Sequence, residues 1–130
     1  MLDIADRLAI QDLFANYCHR VDHDDSAGWG ALFAPDGSFE VVGVLKFKGA
    51  DQLMAMPGIV AQQGNGKWRH QITNIVARPG NDEGTAHVIA YGLVTDWQDG
   101  GKPASFTDYD IMLRRIDGEW RIAQLVATLV

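Results

Sequence analysis

The chain has 130 residues, 47% of them hydrophobic and 22% charged, a balance that suits one ordinary globular domain with one core. Eleven Lys and Arg against 17 Asp and Glu give a net charge of -6, with no basic cluster, which argues against nucleic acid and anionic membrane surfaces as partners. A single cysteine, Cys18, rules out an internal disulfide and fits a reducing compartment. No apolar run approaches the roughly 18 residues that span a bilayer. The start, Met1-Leu2-Asp3, lacks the basic and apolar regions of a signal peptide, so a cytoplasmic protein is expected.

The first element is predicted to be an amphipathic helix. Asp3 is its expected N-cap, and Asp6 suits the positive end of the helix dipole. Leu8, Ile10, Leu13, Phe14, Tyr17, Cys18 and Val21 recur at helical spacing and form a broad apolar face. Asp22 projects inside that apolar sector, toward one edge, and Tyr17 lies toward the other. Asp22-His23-Asp24-Asp25-Ser26 then ends the helix. His19 falls on the polar face. His23, in a loop, is a candidate for a pocket mouth.

A short second helix is expected from Ala27 to Phe33, then a turn at Ala34-Pro35-Asp36-Gly37. Ser38 to Val42 and Val44 to Phe47 read as a short strand pair broken at Gly43. A third helix starts near Gly49-Ala50-Asp51 and runs through Leu53, Met54 and Ile59, broken by Pro57 and Gly58. The second half is rich in β-branched and aromatic residues over 68–78, 85–97, 104–116 and 119–130. These runs are separated by glycine-rich turn signals, Asp117-Gly118 among them. Four strands joined by hairpins make an antiparallel meander. Helices first and strands later give an α+β fold, with helices on one face of a curved sheet and a conical cavity between.

On the strand Trp68–Arg78, alternation places His70 on the same face as Trp68, Ile72 and Val76. A carboxylate at Asp22 and an imidazole at His70 that both point into an apolar interior are costly unless they meet. Meeting, they would move a proton in a dry pocket. His70 is the candidate general base, Asp22 the group that fixes its tautomer, and Tyr17 a donor to a substrate oxygen. Trp68, Asn74, His87 and Tyr91 are the candidate substrate-binding residues; His87 and Tyr91 share a strand face that either lines the cavity or forms an oligomer face. Asp108 and Asp110 lie on one face of the next strand, as a carboxylate pair or as an exposed acidic face. No metal is expected, since His70 and His87 have no third ligand at suitable spacing. No phosphate loop is present, because the glycine-rich stretches fall in hairpin turns.

Leu8-Ala9-Ile10-Gln11-Asp12-Leu13-Phe14, Tyr17, Val21-Asp22 and Leu32-Phe33-Ala34-Pro35-Asp36-Gly37 resemble the N-terminal helices of SnoaL-like domains in the nuclear transport factor 2-like superfamily. His70-Gln71-Ile72-Thr73-Asn74 resembles the third-strand signature, and Arg114 to Ile122 the closing hairpin. The resemblance implies a cystatin-like α+β barrel over 1–130 and relatives that include scytalone and bile-acid dehydratase-like lyases, dehydrochlorinases, isomerases and polyketide cyclases. It implies that Asp22 and His70 match the lyases' catalytic pair and that Tyr17 matches a tyrosine acting with it in the bile-acid type. Such relatives carry a C-terminal segment that closes the pocket, sometimes with a functional arginine, whereas here no basic residue follows Arg121. The function this implies is a cofactor-independent lyase or isomerase acting on a small, mostly apolar carbonyl or hydroxylated ring compound, in a homodimer or higher homo-oligomer. The alternative is a non-catalytic small-molecule binding or dimeric assembly domain of the same fold.

Overall fold

The computed structural model describes residues 1–130. Helix α1 (Ile4–Asp22) opens on a reciprocal cap: Asp3 accepts the Asp6 backbone N–H, and Asp6 accepts that of Asp3. It buries Ile10, Leu13, Phe14, Tyr17, Val21 and Asp22. Leu8 is 62% exposed, because its direction lies nearly opposite the centre of that stripe.

Helix α2 (Ser26–Gly30) is shorter than the sequence suggests, and Asp25 caps it through the Gly28 N–H at 2.9 Å. It seats Trp29, fully buried, in the core. The expected turn at 34–37 lies instead within strand β1 (Phe33–Val41), as a bulge. Between Phe33 and Ser38 the partner strand advances only from Ile122 to Gln124, so Ala34 to Gly37 take up the slack. Strand β2 (Leu45–Lys48) pairs antiparallel with β1 around Gly43, whose φ is 77°. Helices α3 (Ala50–Leu53) and α4 (Met56–Gly64) replace the single broken helix. Pro57 sits in the first turn of α4, where a missing N–H costs nothing, so the break precedes the proline.

Strands β3 (Trp68–Pro79), β4 (Thr85–Asp96), β5 (Lys102–Ile116) and β6 (Glu119–Leu129) form the expected meander. Asp117 and Gly118, with φ of 51° and 81°, supply the two left-handed residues of the last hairpin. The sheet order is β2-β1-β6-β5-β4-β3. Strand β1 runs parallel to β6, which makes the sheet mixed rather than wholly antiparallel. The architecture is α+β, with helices packed on one face of a curved, unclosed sheet. No helix is long and apolar enough to cross a membrane.

The inner face of the sheet is set by strict alternation. Ala86, Val88, Ala90, Gly92 and Val94 on β4 and Thr107, Tyr109, Ile111 and Leu113 on β5 are buried, and the residues between them are not. On β3 the alternation breaks. The β3–β4 register slips between Thr73 and Val76, at Asn74, whose φ is 56°. Before the slip Trp68, His70 and Ile72 face inward; after it Ile75 and Ala77 pack on the core. Val76, expected beside His70, is 41% exposed on the outer face, because one inserted residue reverses the sides of all that follow.

Candidate active site

Asp22 is the last residue of α1, and His70 is the third of β3, against which α1 packs. Their side chains are 4% and 10% exposed. Asp22 Oδ1 lies 2.6 Å from His70 Nδ1, and Asp22 Oδ2 accepts the His70 backbone N–H at 2.8 Å. One carboxylate therefore holds both the ring and the strand that carries it. An ionised carboxylate only accepts, so Nδ1 carries the proton and Nε2 presents its lone pair.

His70 is one wall of a cavity of about 210 Å³ that lies between the helices and the inner face of the sheet and opens past Val44 and Leu129. Most of the lining is apolar, from Val21, Phe39, Val60, Trp68 and their neighbours. Trp68 takes the predicted place, and its indole N–H is buried without a partner in the chain. Tyr17 also lines the cavity, 2% exposed, with its ring edge-on to His70 at 6.5 Å and against Trp29 at 5.4 Å. Burial pushes the Tyr17 phenol well above its usual range, and neighbouring Tyr109 adds to the shift. Tyr17 is thus a donor at neutral pH and not a base.

Two hydroxyl side chains on this wall escaped the sequence reading: Thr107 and Tyr109, both inward on β5 and both buried. Burial raises the Tyr109 phenol too, opposed in part by the Thr107 hydroxyl. The signal was in the strand pattern. Asp108 and Asp110 were placed on one face of β5, which puts 107 and 109 on the other.

On the far side of the dyad an open groove of about 370 Å³ is bordered by Cys18, His19, Asp22, His23, Arg69 and His70 among others. His23 is therefore at a mouth of the site, its Nδ1 2.7 Å from the His19 carbonyl. Burial, and then the Asp22 charge, push the Cys18 thiol up to about 12, which makes it a poor nucleophile. No three His, Cys, Asp or Glu side chains converge to hold a metal ion.

Asn74, His87 and Tyr91 do not join this cavity. Asn74 and Tyr91 border a wider hollow of about 630 Å³ on the outer face, together with Val76, Ile89, Asp108 and Asp110. Tyr91 packs on Phe106 with ring centroids 5.5 Å apart. His87 Nε2 lies 2.8 Å from Asp110 Oδ1, with both side chains largely exposed. The bulge moves Asn74 out of the alternation that would have aimed it at the cavity. His87 and Tyr91 take the odd-numbered face of β4, opposite Ala86, Val88 and Ala90. The outer hollow is the larger of the two, but it holds neither member of the buried dyad.

Residues 3–126 match the model of the SnoaL-like domain. The chain belongs to this family. Solved structures share its cystatin-like fold over nearly the whole chain. A function-unknown protein from Mycobacterium tuberculosis is 27% identical, with a TM-score of 0.82 over 97% of this chain and 72% of that one. A putative scytalone dehydratase from Novosphingobium aromaticivorans is 15% identical, with a TM-score of 0.80 over 98% and 85% of the two chains. A hexachlorocyclohexane dehydrochlorinase from Novosphingobium barchaimii is 20% identical, with a TM-score of 0.79 over 97% and 87%. No curated protein matches this SnoaL-like chain in a sequence comparison. At these identities the two enzymes show the shared fold alone.

Proposed function

We propose that this SnoaL-like domain is a cofactor-free lyase or isomerase in which His70 takes a proton from carbon. The reading is carried by the 2.6 Å contact between Asp22 and His70 at the wall of an apolar cavity. His70 Nε2, left free by the Nδ1 bond to Asp22, is the base. Asp22 holds the tautomer and stabilises the imidazolium that forms. Tyr17 polarises a substrate oxygen, and Trp68 is an apolar wall. The cavity size and lining suit a small, mostly apolar ring compound bearing a carbonyl or hydroxyl; an engineered cavity of about 150 Å³ holds benzene. The names of two structural neighbours, a putative dehydratase and a dehydrochlorinase, support elimination chemistry. A cytoplasmic setting suits the free thiol of Cys18.

The test is hydrogen exchange in D2O, followed by NMR on a panel of small cyclic ketones and β-hydroxy ketones. Enzyme-dependent loss of the α-proton signal, abolished in His70→Ala, is the expected result. Exchange that survives His70→Ala removes the reading. A second reading, a dimeric assembly domain, is favoured by one observation: Val76, Ile89, Tyr91 and Phe106 on the outer sheet face are each at least 40% exposed. Light scattering of Tyr91→Glu, set against the unsubstituted protein, tests it. Under that reading the substitution lowers the mass to that of the monomer, and His70→Ala does not.

A further inference from the structure

The cavity has a lining of nearly uniform chemistry and one end that no element of the chain covers. None of its lining side chains carries a fixed charge; apart from the titratable His70, its polar groups are hydroxyls, the Gln63 amide and the Trp68 indole. A carboxylate, phosphate or ammonium group on a ligand would find no counter-charge here, which apolar surroundings penalise heavily. The ligand that fits is neutral.

The inner face of the sheet runs on past the helices. On β6 the inward row Leu125, Ala127 and Leu129 goes from 0% through 2% to 49% exposed. The parallel pairing of β1 with β6 ends in the same region, at Val41 opposite Ala127, and the Val42 N–H donates to the Ala127 carbonyl at 3.0 Å. This brings the β1–β2 connection beside the end of β6. Val44, in that connection, is 64% exposed. Val44 and Leu129 both line the cavity. Two large apolar side chains that border an apolar cavity and yet stand in water form a sill at its mouth.

The strand ladder sets how far that sill lies from the base. Leu129 pairs with Thr107 and Thr107 with Gly92, while His70 pairs with Val94, the next inward residue of β4. Base and sill are separated by the strands β4 and β5. That is about 14 Å along the sheet, well beyond the width of one six-membered ring. The 210 Å³ of the cavity holds a ring and a few more carbons. The sill is also too small for a protein partner, since two exposed side chains fall far short of the roughly 1,000 Å² that a stable association buries. What fits is a narrow run of apolar atoms that starts in the cavity, crosses the sill and ends in water.

We propose that the substrate is a neutral ring ketone or ring alcohol bearing one unbranched alkyl tail, and that the tail leaves the cavity across Val44 and Leu129. The proposal rests on the lyase reading for the ring at His70 and adds the substrate's shape: one end reacts, and the other is read by its length.

The probes are 4-alkylcyclohexanones with tails from methyl to hexyl, titrated calorimetrically against the whole protein, Val44→Asp and Leu129→Asp. Urea melts check folding, and Val44→Ser or Leu129→Ser replaces any Asp variant that fails. Affinity should rise about fourfold per methylene through to the longest tail, as for one CH2 moved from water to an apolar site. In each Asp variant the gain from propyl to hexyl should fall by about tenfold, because those carbons lie on the sill. Leu129→Met, which keeps an apolar contact, should retain the gain. An affinity that stops rising at ethyl overturns the proposal, because the tail then has no place outside the cavity. So does a gain that persists in both Asp variants, which puts the tail elsewhere. A second copy of this chain seated on the sill also overturns it: long-tail affinity then falls as protein concentration rises, and light scattering shows a dimer that Val44→Asp dissociates. The failures separate, because the tail gain is read by binding alone and does not need His70. Ketone exchange abolished in His70→Ala, with no tail gain, leaves the lyase reading and removes the tail. A tail gain with exchange that survives His70→Ala supports the tail site and removes the proton chemistry.

Discussion

Replacing Asp22 by Asn tests the dyad at its most specific point. The carboxylate has two bonds to defend, one to His70 Nδ1 at 2.6 Å and one from the His70 backbone N–H at 2.8 Å, and its side chain is 4% exposed. An amide of the same shape has one oxygen. The backbone N–H can only donate, so that oxygen turns to it, and the NH2 group then faces Nδ1. Nδ1 must accept, and the ring proton moves to Nε2, the nitrogen that is to serve as base. Folding loses only the charge assistance of one bond, about 1–2 kcal/mol, partly offset because a buried charge is no longer dehydrated. Turnover loses far more: tautomer reversal in a comparable dyad costs about 10⁴-fold. Long-range proton–nitrogen NMR of the His70 ring reads the tautomer directly, urea melts read the stability, and ketone exchange reads the activity. An Asp22→Asn protein with Nε2 unprotonated, or with undiminished exchange, refutes this account of the site.

Alkaline pH should destabilise the protein. The folded-state values of Cys18, Tyr17 and Tyr109 are raised, so the folded chain holds protons that the unfolded chain has released. Stability from these groups is complete below their unfolded values and falls as pH rises, from roughly pH 9 for Cys18 to about 12, by up to about 1.4 kcal/mol per pH unit for each group titrating. Urea melts between pH 8 and 11 check the direction, and a flat profile contradicts it. Iodoacetamide at pH 8 should label Cys18 slowly in the native protein and quickly in urea. Gly92→Ala forces a Cβ to 2.3 Å from the Tyr109 ring, which should cost about 1–3 kcal/mol in a urea melt. Asn74→Val puts a β-branched residue at a φ of 56° and should cost about 1–2 kcal/mol. Asn74→Gly should be neutral or better in stability and leave exchange unchanged, since Asn74 faces away from the cavity.

What was legible in the sequence follows from periodicity. Helix α1, its Asp3 cap and the four long strands rest on patterns more than ten residues long, and they end within about two residues of where the structure ends them. Asp22 and His70 could be paired because each was a polar residue on an apolar face. The errors came from single residues that break a period. The slip at Asn74 inverted the faces of β3, and nothing in Thr73-Asn74-Ile75-Val76 marks it except a residue type that tolerates positive φ. The bulge at 34–37 looked like a turn because Pro-Asp-Gly is turn chemistry, and only the parallel partner β6 keeps that segment in the sheet. Thr107 and Tyr109 were missed for another reason. Inward polar residues on a core strand read as packing until the opposing glycine shows that space was kept for the ring.

The same glycine bears on why the site has its polarity. An apolar cavity that held only the Asp22–His70 pair would remove a proton readily but leave the resulting negative charge against Val21, Phe39 and Val60, in surroundings of low polarity. A carbanion formed there has no partner, and the barrier returns as desolvation. Donors at the far wall change that balance, because each hydrogen bond strengthens as charge moves from carbon to oxygen. The separation matters as much as the identity of the groups. His70 on β3 and Tyr109 on β5 are held on either side of β4, where Val94 is the partner of His70 and Ala90 that of Tyr109, so the strand ladder rather than mobile side chains sets their spacing. Under the proposed proton chemistry, His70 and Tyr109 are carried by one sheet, and a substrate would react only if its acidic C–H and its oxygen span the distance the sheet sets. On that proposal a set of isomeric ketones of equal volume should exchange at rates that differ by orders of magnitude, set by the position of the carbonyl on the ring, and equal rates across the set would contradict it.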